Sequence, residues 1–153
     1  MTGTTGGPRD AATRKAHTLA MLATPAIDVW VATASADGVP HLVPLSLAWV
    51  ADRVVISLRD DAVTARNVAT SGTARLAVGP TRDVVMIDAV LDRAVPVDAD
   101  PALGAAYAAQ ADWDPRGAEG YLFLVLRPVR LQAWREADEI PGRTLMRAGT
   151  WLT

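Results

Sequence analysis

Three apolar-rich extended segments follow one another between residues 27 and 58, separated only by short turns. They read "IDVWVATAS" (27–35), "HLVPLSLAWV" (41–50) and "VVISL" (54–58), with the turns "ADGVP" and "ADR" between them. Runs of this kind bounded by Asp, Gly and Pro are typical of strands joined in hairpins. A parallel pair of strands needs a crossover of about a dozen residues or more, so these strands must pair antiparallel. The spacing predicts an antiparallel sheet that curls into a small barrel and excludes a doubly wound parallel sheet.

The rest of the chain supplies three more strands and three helices. The helices are predicted over 10–23, 62–70 and 100–111, and the strands over 73–79, 84–97 and 121–134. Together these segments predict a mainly β fold with a few helices, built on an antiparallel six-stranded barrel.

Helix ends are marked by local signals. Asp10 is placed to cap the first helix, and Pro25 stops it. Either Asp60 or Asp61 is placed to cap the second helix, which ends at Gly72. The last residues, "READEIPGRTLMRAGTWLT", follow no clear period.

The chain has 153 residues, enough for one domain with one substantial core. It begins with the Gly- and Thr-rich stretch "MTGTTGGP". We therefore predict a disordered tail over residues 1–9 and a single domain over residues 10–153 that carries an N-terminal helix and a C-terminal tail.

Composition excludes several kinds of function. The formal charge is −2 with both signs spread along the chain, so the basic stripe of a nucleic-acid-binding protein is missing. There is no cysteine, which excludes disulfides and thiolate metal sites and is typical of a cytoplasmic protein. No apolar run is long enough for a membrane helix. Arg14 and Lys15 precede an apolar stretch that faintly resembles a signal peptide, but its polar residues and Pro25 favour an amphipathic helix.

The sequence contains no recognisable catalytic constellation. There are two histidines, His17 in the first helix and His41 at the start of the second strand, and neither has a partner in a metal-ligand or nucleophile–base pattern. No Gly-rich phosphate loop of standard spacing is present. The five tryptophans are more typical of core and interface positions than of ligand contacts. Any chemistry here must be carried mostly by an organic cofactor.

Arg66 is the residue least explained by its local sequence. It lies near the start of the second helix, where the partial positive charge of the helix dipole disfavours a cation. Positions 62, 63, 69 and 70 are Ala, Val, Ala and Thr, so no acid three or four places away compensates it. Arg66 therefore meets either an anionic ligand or an acid from another strand or subunit.

The second strand has two different faces. Leu45, Leu47 and Trp49 form an apolar face expected to lie in the core, and Pro44 lies on the opposite, small-residue face with Ser46 and Ala48. A small face either packs against a neighbouring element or lets a flat ligand approach the backbone. Proline cannot donate to a ladder, so the strand is an edge strand or is broken at Pro44.

Taken in order, three segments resemble one known family. "VWVATASADGVPHLVPLSLAWV", "RVVISL" and "TARNVATSGTARLAVGPTRDVVM" are similar to the flavin-binding split β-barrel superfamily, which includes pyridoxamine 5′-phosphate oxidase and the actinobacterial flavin/deazaflavin-dependent oxidoreductases. The resemblance covers roughly residues 14–134, and "GRTLMRAGTWL" also looks like the actinobacterial members. The helix start "TARNV" is its most specific piece.

The resemblance implies a homodimer with two cofactors in clefts at the interface. The cofactor would be FMN or the deazaflavin F-420, and some members bind haem or biliverdin. Carried over residue by residue, the ring-side contacts would be Val43, Pro44, Ser46, Ile56, Ser57 and Leu58, and the phosphate contacts Thr64, Arg66 and Asn67.

Four positions depart from the oxidase pattern. That pattern has basic residues where His41 and Ser46 stand, and a Ser and a Lys where Ala62 and Thr64 stand. Most of the phosphate-binding charge is therefore missing, so the chain fits the deazaflavin branch better than the vitamin-B6 oxidase branch.

The function expected from the resemblance is hydride transfer between a bound flavin or deazaflavin and a small organic substrate. No catalytic side chain and no metal ligand is nominated. The alternatives are a non-catalytic flavin or haem carrier, and a barrel that has lost its ligand and serves only in assembly.

Overall fold

The computed structural model describes residues 6–153, and its elements follow the sequence pattern closely. Helices α1, α2 and α3 are Ala11–Leu22, Val63–Ser71 and Pro101–Gln110, and a short 3₁₀ helix covers Ala137–Glu139. The strands are β1 (Asp28–Ala34), β2 (Pro40–Ser46), β3 (Ala48–Val50), β4 (Arg53–Arg59), β5 (Thr73–Val78), β6 (Val84–Pro96), β7 (Tyr121–Trp134), β8 (Thr144–Arg147) and β9 (Thr150–Trp151).

The sheet is antiparallel throughout the described residues and runs in the order β2-β1-β5-β6-β7-β4-β3, with β8 beside β7 and β9 beside β8. Its two ends, β2 and β3, are consecutive in the chain and are joined by Leu47 alone. One residue spans only a few ångströms, so the two edges must approach each other and the sheet must curl. Because β2 and β4 make contact there without being ladder neighbours, the barrel is open along a seam. The predicted fold class, a mainly β antiparallel split barrel, is confirmed.

Two details of the strands differ from the prediction. The second predicted strand is two strands, because the chain changes partner at Leu47, from β1 to β4. The C-terminal residues without a clear period form the β8–β9 hairpin, so Trp151 does belong to a strand. β8 is placed by pairing with β7, and β9 by pairing with β8. Their own short sequences do not reveal these partners. All six predicted strands are present.

Two apolar clusters hold the fold together. The first fills the barrel and includes Val31, Leu47, Ile56, Leu76 and Leu126, all fully buried. The second lies outside the barrel wall, where α3 packs on β3, β4 and β7 through Tyr107, Phe123 and neighbouring residues. Leu47 belongs to the first cluster and Ala48 to the second, so the predicted two-faced strand has a core on each side.

The helices begin as local chemistry requires, with one exception. Asp10 caps α1 by accepting a hydrogen bond from the Thr13 N–H (2.7 Å), as predicted. The prediction that Asp60 or Asp61 caps α2 is wrong, because α2 starts one residue later, at Val63, and Ala62 is its N-cap without a side-chain hydrogen bond. Its C-terminal end at Gly72, in the left-handed conformation, is as predicted.

The two ends of the domain are tied together. Arg9 donates to the Glu139 carboxylate through Nε (2.8 Å) and Nη2 (2.7 Å). Residues 1–5 of the predicted tail lie outside the described residues, and the division at residues 9 and 10 stays a prediction. No helix within residues 6–153 combines the length and apolar character needed to cross a bilayer.

Candidate cofactor cleft

Helix α2 covers one end of the barrel, where Ala65 and Val68 pack on the core. We name this end the barrel mouth. It follows directly from β4 and packs on β1 and β2. Asn67 is buried there and donates from Nδ2 to the Thr33 hydroxyl (3.1 Å), which fixes the helix to β1. Thr33 pairs in register with His41 of β2. Polar side chains from three elements therefore meet at the barrel mouth.

The N-terminus of α2 presents unsatisfied donors. The first intrahelical bond runs from the Arg66 N–H to the Ala62 carbonyl (3.0 Å), so the N–H groups of Val63, Thr64 and Ala65 precede it. No side chain caps them. This terminus has the backbone donors and the dipole that an anion requires.

Arg66 itself is exposed, and no carboxylate within residues 6–153 lies within ion-pair distance of it. The charge of Arg66 acts weakly on Asp61, whose pKa is lowered mainly by the hydrogen bond from Arg59. Arg59 Nε lies 3.0 Å from the Asp61 carboxylate. Thus an intramolecular ion pair does not explain Arg66 within the described chain.

The ring-side residues predicted from the sequence fall into distinct environments. Ile56 and Leu58 are buried in the barrel core, so only their backbone atoms can reach a ligand outside the barrel. Ser57 is also buried, and its hydroxyl donates to the Leu122 carbonyl (3.0 Å). On β2, Val43 is half-buried and Pro44 is exposed. The edge strand β2 is therefore the accessible part of the predicted ring site; of the two alternatives that Pro44 left open, an edge strand or a broken strand, the structure has the edge strand.

Ser46 belongs to a polar and aromatic cluster that sequence reasoning missed. Its hydroxyl donates to the Asp112 carboxylate (3.0 Å), and its carbonyl accepts from the Tyr107 hydroxyl (3.4 Å). The Trp113 indole N–H donates to the same Tyr107 oxygen (3.1 Å). Burial raises the pKa of Tyr107 to about 12, and the nearby carboxylates of Asp112 and Asp28 add to the rise. The only sign of this cluster in the local sequence is Trp113 between two aspartates, because the other members come from β2 and α3, which are far apart in the chain.

The outer face of β1 and β2 carries unusual apolar exposure. Trp30 is 50% exposed and Leu42 is 59% exposed. Trp30 pairs in register with Pro44, and Ala32 pairs with Leu42, so these side chains share one face. We name Trp30, Leu42 and Pro44 the β1–β2 patch. It adjoins a groove of about 490 Å³ along β1, β5 and β6.

Solved structures resemble this architecture. A structure described as an F-420 reductase aligns with 18% identity over 73% of this chain and 93% of that chain, with a TM-score of 0.61. A pyridoxamine 5′-phosphate oxidase-related, FMN-binding protein from Nostoc punctiforme aligns with 13% identity over 80% of this chain and 78% of that chain, with a TM-score of 0.54. The chain has the split β-barrel fold of these proteins. The resemblance inferred from the sequence is thereby confirmed at the level of fold.

A haem-binding protein from Mycobacterium smegmatis has the same split barrel. It aligns with 23% identity and a TM-score of 0.64 over 89% of this chain, which spans only 57% of that protein. The sequence matches no family model and no curated protein, so the likeness is one of fold.

Proposed function

We propose that this split barrel binds a phosphate-bearing flavin or deazaflavin at the barrel mouth and is an oxidoreductase acting on a small organic substrate. The observation that carries the proposal is the N-terminus of α2, where uncapped backbone donors lie beside the exposed Arg66. A phosphate there would accept hydrogen bonds from both and would offset the unfavourable interaction between Arg66 and the helix dipole. Structural neighbours described as an F-420 reductase and an FMN-binding protein support it.

The residues divide into two groups with different tasks. Thr64, Arg66 and Asn67 would hold the phosphate end. The ring would lie beside β2 and β4, at Val43, Pro44, Ser46, Ile56, Ser57 and Leu58, with Ile56 and Leu58 offering only backbone atoms. A bound flavin or deazaflavin supplies the hydride chemistry. The chain positions the reactants and excludes water, so no side chain is assigned a proton-transfer role.

The scarcity of unpaired basic residues along the whole proposed cleft favours F-420 over FMN in this proposal. Ser46 stands where the oxidase pattern has a basic residue, and here its hydroxyl binds the carboxylate of Asp112. Arg66 is then the main cation available to a phosphate at the mouth. A single exposed guanidinium predicts modest affinity for the phosphate monoester of FMN.

A non-catalytic haem carrier is the second candidate. A haem-binding protein shares the fold, and His41 is half-buried at the barrel mouth, opposite Thr33. A neutral imidazole is a standard haem ligand. In this alternative His41 would bind the iron, and His41→Ala would abolish the haem absorbance band while leaving flavin binding unchanged.

We further infer a homodimer in the cytoplasm, with no nucleic-acid and no membrane partner. The β1–β2 patch supports the dimer, because exposed apolar residues clustered on one sheet face are typical of an interface. The lack of cysteine supports the cytoplasmic location, and the net charge of −2 supports the absence of a nucleic-acid partner. The absence of a membrane-spanning helix from residues 6–153 supports the absence of a membrane partner.

The test is a binding titration of FMN, F-420, riboflavin and haemin against the wild-type chain, Arg66→Ala and Arg147→Ala. Arg147 is an exposed arginine on β8 and serves as the matched control. Charge-assisted hydrogen bonds contribute ~1.5–3 kcal/mol, so Arg66→Ala should weaken FMN and F-420 binding about tenfold or more. Riboflavin lacks the phosphate and should bind the wild-type chain and Arg66→Ala with equal affinity.

The melting temperature without ligand decides between the two roles of Arg66. A ligand role predicts an unchanged or slightly raised melting temperature for Arg66→Ala, because the cation–dipole conflict is removed. Unchanged cofactor affinity together with a clearly lower melting temperature would refute the phosphate role. Stoichiometric FMN with no measurable F-420 binding would reverse the preferred cofactor.

A further inference from the structure

A second cleft lies at the opposite end of β4 from α2, between two hairpin turns. One turn joins β3 to β4 and the other joins β8 to β9. The cleft has a volume of about 220 Å³, and Trp49, Asp52, Arg53, Arg127, Met146 and Trp151 line it. We name it the indole cleft. The six steps along β4 from Arg53 to Arg59 correspond to about 20 Å at ~3.3 Å per residue, so the indole cleft is separate from the barrel mouth.

The two hairpin turns beside the indole cleft have backbone with positive φ angles. Ala51 (φ 48°), Asp52 (φ 60°) and Ala148 (φ 48°) have left-handed conformations that favour glycine, and within residues 6–153 only Ala26 is a further non-glycine case. Ala51–Asp52 and Ala148–Gly149 are the two central residues of two-residue hairpin loops, and type I′ turns require a positive φ at both positions. Hairpin geometry therefore accounts for these φ values, and the turns place the side chains that line the cleft.

Two guanidinium groups share one carboxylate at the edge of the cleft. Arg53 and Arg127 each donate from Nε to a different oxygen of Asp92, Arg127 at 3.1 Å. The hydrogen bond from Arg53 is the main cause of the lowered pKa of Asp92, which therefore stays ionised at neutral pH. With the carboxylate of Asp52, which also lines the cleft, the four charged side chains sum to zero. An anion would therefore be held by the free donors of Arg127 and not by an excess of positive charge.

Arg127 still has donors to offer. Its Nε is used by Asp92, and within the described residues its two terminal nitrogens have no hydrogen-bond partner. Nη1 points towards the β8–β9 turn, 3.8 Å from where a Cβ on Gly149 would lie. A guanidinium with both terminal nitrogens free is suited to bind a carboxylate in bidentate fashion.

The aromatic walls add the second element of recognition. Trp49 and Trp151 are both half-buried, so each presents part of its indole ring to the cleft. Lys15 already covers one face of Trp151, with its Nζ 4.9 Å from the ring centroid. Indole rings bind flat apolar groups by stacking or by edge contact. Met146 gives the cleft a polarisable floor that adapts to different shapes.

We propose that the indole cleft binds a small planar aromatic carboxylate, with its ring between Trp49 and Trp151 and its carboxylate on Arg127. This site is independent of the cofactor proposed for the barrel mouth, so either proposal can fail without the other.

The test uses the full-length chain labelled with ¹⁵N and the probe 2-naphthoate. The chain has five tryptophans and so five indole N–H signals. The signals that disappear in Trp49→Phe and in Trp151→Phe are those of the two cleft residues. We expect saturable shifts of the Trp49 and Trp151 signals and no shift of the other three. Neutral 2-naphthylmethanol and cationic 2-naphthylmethylamine should bind at least about tenfold more weakly, because each lacks the charge-assisted contact.

Variants of Arg127 separate binding from folding. Arg127→Gln should weaken 2-naphthoate binding about tenfold. Arg127→Lys keeps the positive charge but loses the paired guanidinium donors, so its affinity should lie between those of Arg127→Gln and wild type. Arg130→Gln, on the same strand but outside the cleft, should bind as wild type. Equal binding of the three naphthyl probes, wild-type affinity in both Arg127 variants, or shifts confined to Trp30, Trp113 and Trp134 would overturn the proposal.

Discussion

At the scale of single residues, arginines have two contrasting roles. Arg14 is buried, and its terminal nitrogens donate to the carbonyls of Ala133, Glu139, Gly142 and Arg9, at 3.0–3.3 Å. It joins α1 to the chain between β7 and β8, a structural role. Arg66 has the same position near a helix start but is exposed without an ion-pair partner in the described chain. The local sequences already differ, because Asp10 lies four residues before Arg14 whereas no acid lies three or four residues from Arg66; only the structure shows that Arg14 is buried and Arg66 exposed.

Glu139 is a buried carboxylate that accepts four hydrogen bonds. Its carboxylate accepts from Arg9 Nε and Nη2 and from the backbone N–H groups of Arg9 and Arg135. The Arg9 hydrogen bond is the main cause of its pKa, lowered to about 2. A lowered carboxylate pKa stabilises the fold above its unfolded value, and this stabilisation is lost as pH falls towards the folded value.

We therefore expect Glu139→Gln to lower the free energy of unfolding at pH 7 by on the order of 3 kcal/mol, at ~1.4 kcal/mol per pKa unit. The difference from wild type should shrink between about pH 4.5 and pH 2, where wild-type Glu139 becomes protonated. Urea unfolding at several pH values measures it. Glu136→Gln removes an exposed carboxylate paired with Arg82 and should change stability little. A pH-independent difference would contradict the role of the Glu139 charge.

At the scale of elements, α2 differs from the other two helices. Asp10 caps α1, and Asp100 caps α3 by accepting from the Leu103 N–H (3.1 Å). Of these three helices, only α2 has an alanine, Ala62, as its N-cap, which leaves its first donors without a side-chain acceptor. No side chain therefore competes with an anion for the backbone donors at the start of α2, which favours an anion site at the barrel mouth.

We expect Ala62→Ser to have opposite effects on folding and binding. A serine hydroxyl there can accept from the α2 backbone and should stabilise the ligand-free protein by about 0.5–1 kcal/mol. It also competes for the donors that the proposed phosphate would use, so FMN and F-420 affinity should fall. Thermal unfolding and titration of the same variant measure both effects. Asp10→Ala, which removes the α1 cap, should lower stability without lowering cofactor affinity; a similar affinity loss in both variants would argue against the α2 site.

At the scale of the whole molecule, the sheet is open at its seam and apolar on one outer face. Joining β2 to β3 through Leu47 brings the two edges together but leaves β2 without a second ladder partner. The β1–β2 patch lies on that exposed side, with Trp30 at 50% and Leu42 at 59% exposure. Covering both the edge strand and the patch with a second copy would enclose the barrel mouth.

We expect the wild-type chain to be a dimer at micromolar concentration and Trp30→Glu to be a monomer that folds normally but binds cofactor more weakly. The folded monomer is expected because Trp30 points away from the barrel core. Light scattering and circular dichroism measure assembly and fold. Ile140→Glu, at a residue 44% exposed outside the patch, is the control and should stay dimeric. A monomeric wild-type chain would remove the proposed dimer.

The sequence by itself determined most of the elements and their order. Alternation, turn residues and the Asp10 and Gly72 signals predicted the three helices and the positions of six strands, because these signals act between residues close in the chain. They did not predict the division of the second strand at Leu47 or the β8–β9 hairpin. The short connections made the antiparallel barrel predictable, and the resemblance in "TARNV" directed attention to α2. The nine predicted cofactor contacts stay predictions.

Only the tertiary structure decided which side chains are available at those positions. It buries Ile56 and Leu58 in the core, engages Ser46 with Asp112, and leaves Pro44 and Arg66 exposed. It also places the β8–β9 hairpin on β7 and brings Trp49 and Trp151 to one cleft. The physical reason is that burial, sheet register and charge pairing depend on residues far apart in sequence, whereas propensity and capping depend on neighbours.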